Sequence, residues 1–140
     1  MSYTIAFDHT FDRFYEVRIP FDFSANRAQI VGSCNGLLCL ADFRSLSAGN
    51  NDIYLWNPSI RKFKKLPCTC LGKVSIVTLE FAYHSKNNDY KVVRISSCYM
   101  STPKIEVYRL SSDSWRRVEI SLTANLMFLK NLLSSIPLIG

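Results

Sequence analysis

The sequence predicts an all-β fold of short antiparallel strands. Three observations carry that reading: an internal repeat, alternation of apolar and polar residues, and tight-turn dipeptides between the alternating runs. The repeat is the strongest of them. Ile53-Tyr54-Leu55-Trp56-Asn57-Pro58-Ser59-Ile60-Arg61-Lys62-Phe63-Lys64-Lys65-Leu66 returns as Ile105-Glu106-Val107-Tyr108-Arg109-Leu110-Ser111-Ser112-Asp113-Ser114-Trp115-Arg116-Arg117-Val118, at an offset of 52 residues and without a gap. Trp56 falls on Tyr108, Phe63 on Trp115, Leu55 on Val107 and Leu66 on Val118. Each copy reads as strand, turn, strand. A period near 50 residues made of short strands is the kelch-like spacing of a β-propeller blade. Closed propellers need about four blades or more. The 140 residues therefore hold about two to two-and-a-half blades of antiparallel four-stranded sheet, a partial propeller.

The elements follow in chain order. Residues 3–8 and 14–20 read as two weak strands around a polar turn, the tail of a preceding blade, and the chain then connects without regular period to residue 27. In the first full unit, residues 29–33 form a short strand and Asn35-Gly36 a tight turn, since both residues tolerate positive φ. Residues 37–43 are a nearly continuous apolar strand, as expected for one covered on both faces. A Ser-, Gly- and Asn-rich connection over 45–52 leads to strands at 53–57 and 61–66. Pro58 stops the former because it has no N–H for a ladder. The second unit repeats the plan: strands at 76–84 and 90–97 around a polar turn with Asn88 in the repeat position of Gly36, then strands at 104–110 and 115–120. Trp56, Tyr108, Phe63 and Trp115 occupy repeat-equivalent positions and are expected to be buried between stacked sheets, each removing about 150–250 Å² from water.

The expected organisation is thus residues 1–27 as blade tail and connector, 28–75 as the first blade, 76–120 as the second and 121–140 as an atypical tail. That tail places Leu122, Leu126, Leu129, Leu133 and Ile136 at helical spacing, as in a short amphipathic helix; the alternatives are the first strand of a next blade and a segment unrelated to the repeat. Lys130 and Asn131 interrupt it too soon for a membrane span.

Charge is unevenly spread along the chain, whose net value is +6. Residues 1–52 carry four Arg against six acids, a net of −2, and residues 53–140 carry thirteen Lys or Arg against five acids, a net of +8. The bases gather where the two repeat copies end, at Arg61, Lys62, Lys64 and Lys65 and again at Arg116 and Arg117. A nucleic-acid surface needs such bases on one face with aromatics free to stack. Strand alternation favours a plainer outcome, with Lys62 and Lys64 in solvent and Phe63 packed inward.

Cys34, Cys39, Cys68, Cys70 and Cys98 are odd in number, and the N-terminal residues lack the basic start and apolar run of a signal peptide. A reducing cytoplasmic or nuclear setting is expected, with the thiols as small buried hydrophobes. Their spacings miss the paired pattern of structural zinc sites, so no metal is expected. Catalytic groups are equally sparse. His9 sits in a turn and His84 at a strand end, with no nucleophile implied beside either. Gly32-Ser33-Cys34-Asn35-Gly36 lacks the Lys-Ser/Thr and the following helix of a phosphate loop. Asp42, Asp52 and Asp89 fall at strand ends and turns, where Asp is common. The expectation is a non-enzyme without catalytic, cofactor-binding or metal residues.

Ile30-Val31-Gly32-Ser33-Cys34-Asn35-Gly36-Leu37-Leu38-Cys39-Leu40, followed by Tyr54-Leu55-Trp56-Asn57-Pro58-Ser59-Ile60-Arg61-Lys62-Phe63-Lys64-Lys65-Leu66-Pro67, closely resembles the F-box-associated domain of plant F-box, F-box/kelch-repeat and S-locus F-box proteins. Phe81-Ala82-Tyr83-His84 with Asp89-Tyr90-Lys91-Val92-Val93-Arg94 is similar to that family's next element, and Val107-Tyr108 to Trp115-Arg116 to its following hairpin. The resemblance covers about residues 1–120. It implies the substrate-recognition part of an SCF-type E3 ubiquitin ligase, in which an F-box docks a Skp-type adaptor and the propeller-like part captures the protein to be ubiquitinated. No Leu-Pro-x-Glu-Leu-type F-box motif occurs here, so adaptor binding is expected only if a longer chain supplies one. The residues after Ile120 also depart from the family pattern.

The expected partner is a substrate protein of unknown identity, with no cofactor and no membrane. Loops on a rigid scaffold are the usual place for recognition, here the connections at 45–52, 68–75 and 98–103, with no partner-binding residue singled out. The alternatives are a basic nucleic-acid-binding surface, which the alternation argument disfavours, and a non-functional truncated paralogue.

Overall fold

The computed structural model describes residues 2–6, 14–19, 28–42, 52–68, 76–97 and 102–119. The tail over 121–140, with its expected helix, lies outside them, as do His9, Cys70 and Cys98. The described residues form ten strands in three antiparallel sheets. β1 (Ser2–Ala6) and β2 (Phe14–Arg18) make a hairpin. β3 (Ala28–Cys34), β4 (Leu37–Asp42), β5 (Asp52–Asn57) and β6 (Lys62–Lys65) form a first four-stranded sheet in sequence order. β7 (Ile76–His84), β8 (Asp89–Ser97), β9 (Lys104–Arg109) and β10 (Ser114–Val118) form a second with the same order. Two four-stranded meanders, each strand paired with its sequence neighbour, are the arrangement of propeller blades.

The turns repeat along with the strands. Asn35 and Gly36 both take positive φ, 48° and 77°, the requirement of a two-residue turn whose twist matches the strands it joins. After β7, a single 3-10 turn over Ser85–Asn87 ends in Asn88 at φ 48°, 52 residues beyond Gly36. Arg61 between β5 and β6 and Asp113 between β9 and β10 lie at φ 53° and 47°, again 52 residues apart. Asn57 accepts a hydrogen bond from the Ser59 N–H at 3.1 Å through its side-chain oxygen, which closes the turn as Pro58 ends β5. An added Cβ at Gly36 meets nothing within 4 Å. Gly36→Ala is therefore expected to cost only the left-handed backbone strain, about 1–2 kcal/mol, read as a lower urea midpoint with unchanged slope.

The two sheets pack through their first strands. β3 bulges between Ile30 and Gly32, and a Cβ at Gly32 would come within 3.4 Å of the Phe81 Cβ on β7; glycine allows this close approach. Farther along, the Tyr90 hydroxyl reaches the Asn35 carbonyl at 3.4 Å. β3 and β7 thus lie side by side and run in the same direction. Between the sheets sits one core: Cys39, Ile53, Leu55 and Leu66 from the first sheet meet Val92 and Tyr108 from the second, with Val31, Leu79, Phe81, Leu110 and Trp115 packed against them.

Of the four repeat-equivalent aromatics, Trp56 and Tyr108 are fully buried and Trp115 is half-buried. Phe63 departs from expectation, being 48% exposed. It lies on β6, the outer edge of the first sheet, opposite Trp56. Of the lysines beside it, Lys62 is exposed as expected, whereas Lys64 is half-buried. Lys64 stands opposite Leu55, on the face turned towards the second sheet. Alternation sets which residues share a face; packing of the neighbouring sheet decides which face is inward.

Candidate functional site

Antiparallel meanders send their connections alternately to two ends. The tight turns at 35–36, 58–61, 85–88 and 110–113 gather at one end, because Tyr90, beside the second sheet's first turn, meets Asn35 in the first sheet's first turn. The strand ends that bound the connections at 43–51, 69–75 and 98–101 lie at the other. All three connections expected to recognise a partner thus leave from a common end, and most of their own residues lie outside those described.

Charged groups frame that end. Asp42 at the close of β4 pairs in register with Asp52 at the start of β5, a juxtaposition of like charges that is costly without a cation nearby. The cation is Lys65, whose ammonium lies 2.9 Å from the Asp52 carboxylate and 5.9 Å from the centre of the Tyr54 ring. The hydrogen bond to Asp52 is the largest of the effects that raise its pKa. On the second sheet Arg94 and Glu106 stand opposite each other on β8 and β9, 1% and 4% exposed, with their charged atoms 3.7 Å apart. Burial pushes the Glu106 carboxyl up, while the charges of Arg94 and Arg117 pull it down; burial likewise lowers Arg94. The Ser96 hydroxyl donates to the Lys104 carbonyl at 3.3 Å.

A second polar group joins the sheets along their outer strands. The Lys64 ammonium lies 2.8 Å from the Asp113 carboxylate. The Tyr108 hydroxyl donates to the same carboxylate at 2.8 Å, and the Trp115 indole N–H donates to the Pro67 carbonyl at 2.8 Å. The bonds from Lys64 and Tyr108 hold the Asp113 carboxyl below its usual value, with Lys64 the largest cause. Asp89, buried at the start of β8, fixes the last turn by accepting the Ser111 N–H at 3.0 Å and the Ser111 hydroxyl at 2.7 Å. Neither the Lys64 clasp nor the Arg94–Glu106 pair was legible in the alternation alone. The signals were an arginine inside the apolar run Val92-Val93-Arg94-Ile95 and an acid, Asp113, aligned with Arg61 in the repeat.

The bases that end the two repeat copies do not share one face. Arg116 and Arg117 point to opposite faces of β10 by strand alternation, and Lys64 is engaged by Asp113. Cys39 is fully buried and burial pushes its thiol up to about 12, so it holds almost no thiolate at neutral pH. His84 stands at the close of β7. We expect a thiol reagent at about pH 8 to label exposed Cys68 in the folded protein and to reach Cys39 only on unfolding, as mapped by mass spectrometry. Among the described residues no three His, Cys, Asp or Glu side chains are grouped to hold a metal, and no helix is long and apolar enough to cross a membrane.

Comparison with known proteins adds to this geometry. The family model described as "F-box associated beta propeller domain" matches residues 14–134. The chain is 39% identical over 67 residues to F-box protein At3g07870 of Arabidopsis thaliana, covering 47% of this chain and 15% of that protein. It is 30% identical over 93 residues to the F-box/kelch-repeat protein At3g23880 of the same plant, covering 63% and 24%. With F-box protein CPR1, also from Arabidopsis thaliana, it shares 27% identity over 116 residues, covering 71% and 27%. The chain thus spans about a quarter or less of the length of these relatives. No solved structure matches it.

Proposed function

Because the chain belongs to the F-box associated beta propeller domain family, we propose that it is the substrate-recognition part of an SCF-type E3 ubiquitin ligase, a protein-interaction module and not an enzyme. In this reading residues 28–75 and 76–120 are successive kelch-like blades, and the connections at 45–52, 68–75 and 98–103 present the surface that selects the target. The observation that carries the reading is the shared end from which these connections leave, above two sheets locked by one core. Recognition needs variable segments on a scaffold that does not move. The fixed charges of Asp52, Lys65, Arg94 and Glu106 lie in the strands beneath them.

Docking of a Skp-type adaptor belongs, in this proposal, to an F-box outside these 140 residues, and the module works in the cytoplasm, the nucleus or both. The test is a calorimetric titration of purified adaptor into the chain alone and into the same chain with an F-box joined upstream. Binding is expected for the second protein only. Adaptor binding by the 140 residues alone would overturn the division of labour.

A further inference from the structure

The second sheet has a face that the first sheet does not touch; Val93 and Ile105 on it are buried, 3% and 0% exposed, and its exposed part lies at the end next to the tight turns. Its inward face carries Leu79, Phe81, Val92, Tyr108 and Trp115 against the first sheet. By strand alternation Lys91, Arg109 and Arg116 lie on the opposite face. Register sets them close together. Lys91 on β8 stands directly across from Arg109 on β9. Arg116 on β10 is two residues from Ser114, which pairs with Arg109, so it takes the diagonal neighbouring position. Arg109 and Arg116 are exposed and Lys91 half-buried. None of the three forms an ion pair with a described residue.

Two acids share this face. Glu80 is exposed on β7, and Asp89 is buried with its carboxylate occupied by Ser111. Like charges directly opposite each other in a sheet are destabilising. This sheet therefore carries a cost that an incoming carboxylate would relieve.

The repeat shows what such a face receives. At the 52-residue offset Lys91, Arg109 and Arg116 align with Cys39, Asn57 and Lys64 of the first sheet. That first-sheet face is the one covered by the second sheet, and of its two cations, Lys62 and Lys64, the latter is met by a carboxylate held in a left-handed turn, Asp113. The outward face of the second sheet keeps the cation at the Lys64 position, has Ser114 in place of Lys62 and adds two more, Lys91 and Arg109. A second copy of this chain is a poor complement, because the chain carries a net charge of +6 and the position aligned with Asp113 in the first sheet is Arg61.

We propose that the turn end of this outward face docks an acidic protein segment, whose carboxylates meet Lys91, Arg109 and Arg116. This rests on the recognition reading above only in giving the segment to a target protein; the row of cations stands on the register alone.

A fluorescent hexaglutamate peptide is the probe, titrated into the intact chain at low salt with hexaglutamine as control. The peptide is expected to bind and hexaglutamine not. Arg109→Glu and Arg116→Glu should each weaken binding about tenfold. Lys86→Glu, which removes the same charge from an exposed turn, should weaken it less than about twofold. All three positions are exposed, and thermal melts establish that the variants remain folded. Equal loss from Lys86→Glu would mean attraction to net charge only and would overturn the site, as would absence of binding. Wild-type self-association that Arg116→Glu abolishes would make the occupant a second copy and equally overturn it. Adaptor titration is independent of this result, so failure of either proposal is distinguishable from failure of the other.

Discussion

Tyr108→Ala is expected to destabilise the protein by about 3–5 kcal/mol, a large share of the roughly 5–15 kcal/mol that holds a domain together. Tyr108 is fully buried in the core between the two sheets. Its ring lies 5.5 Å from that of Trp115 at an angle of 54°, a tilted pair of the favourable kind. Truncation opens a cavity that Cys39, Leu55 and Val92, fixed in paired strands, cannot close. Tyr108→Phe keeps the ring and removes only the hydrogen bond to Asp113, a loss of about 1 kcal/mol. Urea unfolding followed by tryptophan fluorescence and by circular dichroism measures both. The core is shared, so the two signals should move together in Tyr108→Phe; separate transitions would show that the sheets unfold independently.

Glu106→Ala is expected to cost about 3–5 kcal/mol, because it removes the carboxylate facing a buried guanidinium. Replacing both partners, as Arg94→Met with Glu106→Leu, is expected to be near neutral or stabilising, since neither charge must then be taken out of water. The pair also imposes a pH dependence. Burial raises the folded pKa of Glu106 above its value in the unfolded chain, near 4.3. The folded protein therefore holds the extra proton between those two values. The contribution of this group to stability is fully present below the unfolded pKa and is lost as pH rises through the folded one. Denaturation midpoints measured across mildly acidic pH should show that component in the native protein and lose it in the double variant. A double variant as unstable as Glu106→Ala would contradict the assignment of the cost to an unbalanced buried charge.

Much of this architecture could be read from the amino-acid sequence, and the reason is local. Asn35-Gly36 tolerates positive φ in both residues, Pro58 cannot continue a ladder, and the alternation in Ile53-Tyr54-Leu55-Trp56 has the period of a strand. The left-handed residues fall 52 positions apart because the same turn geometry is demanded twice, even where Arg61 and Asp113 share no chemistry. What escaped was the choice between two faces. Phe63 and Lys64 alternate as expected, but the second sheet covers the Lys64 side, and no local pattern states where a neighbouring sheet will stand. The Lys64–Asp113 clasp and the Arg94–Glu106 pair join residues 49 and 12 positions apart, so they appear only once sheets and register are known. The shared end of the three connections proposed to recognise a target follows from topology, whereas the residues that would touch a target depend on the target's surface.

In the proposed division of labour, recognition of a target resides in these 140 residues and adaptor docking does not. Its most direct test uses a version of the chain with an F-box joined upstream, together with the target protein that it captures. Excess chain without the F-box should displace that target from the F-box-bearing protein and leave the adaptor bound. Failure of the excess chain to compete for the target, or displacement of the adaptor, would contradict the account.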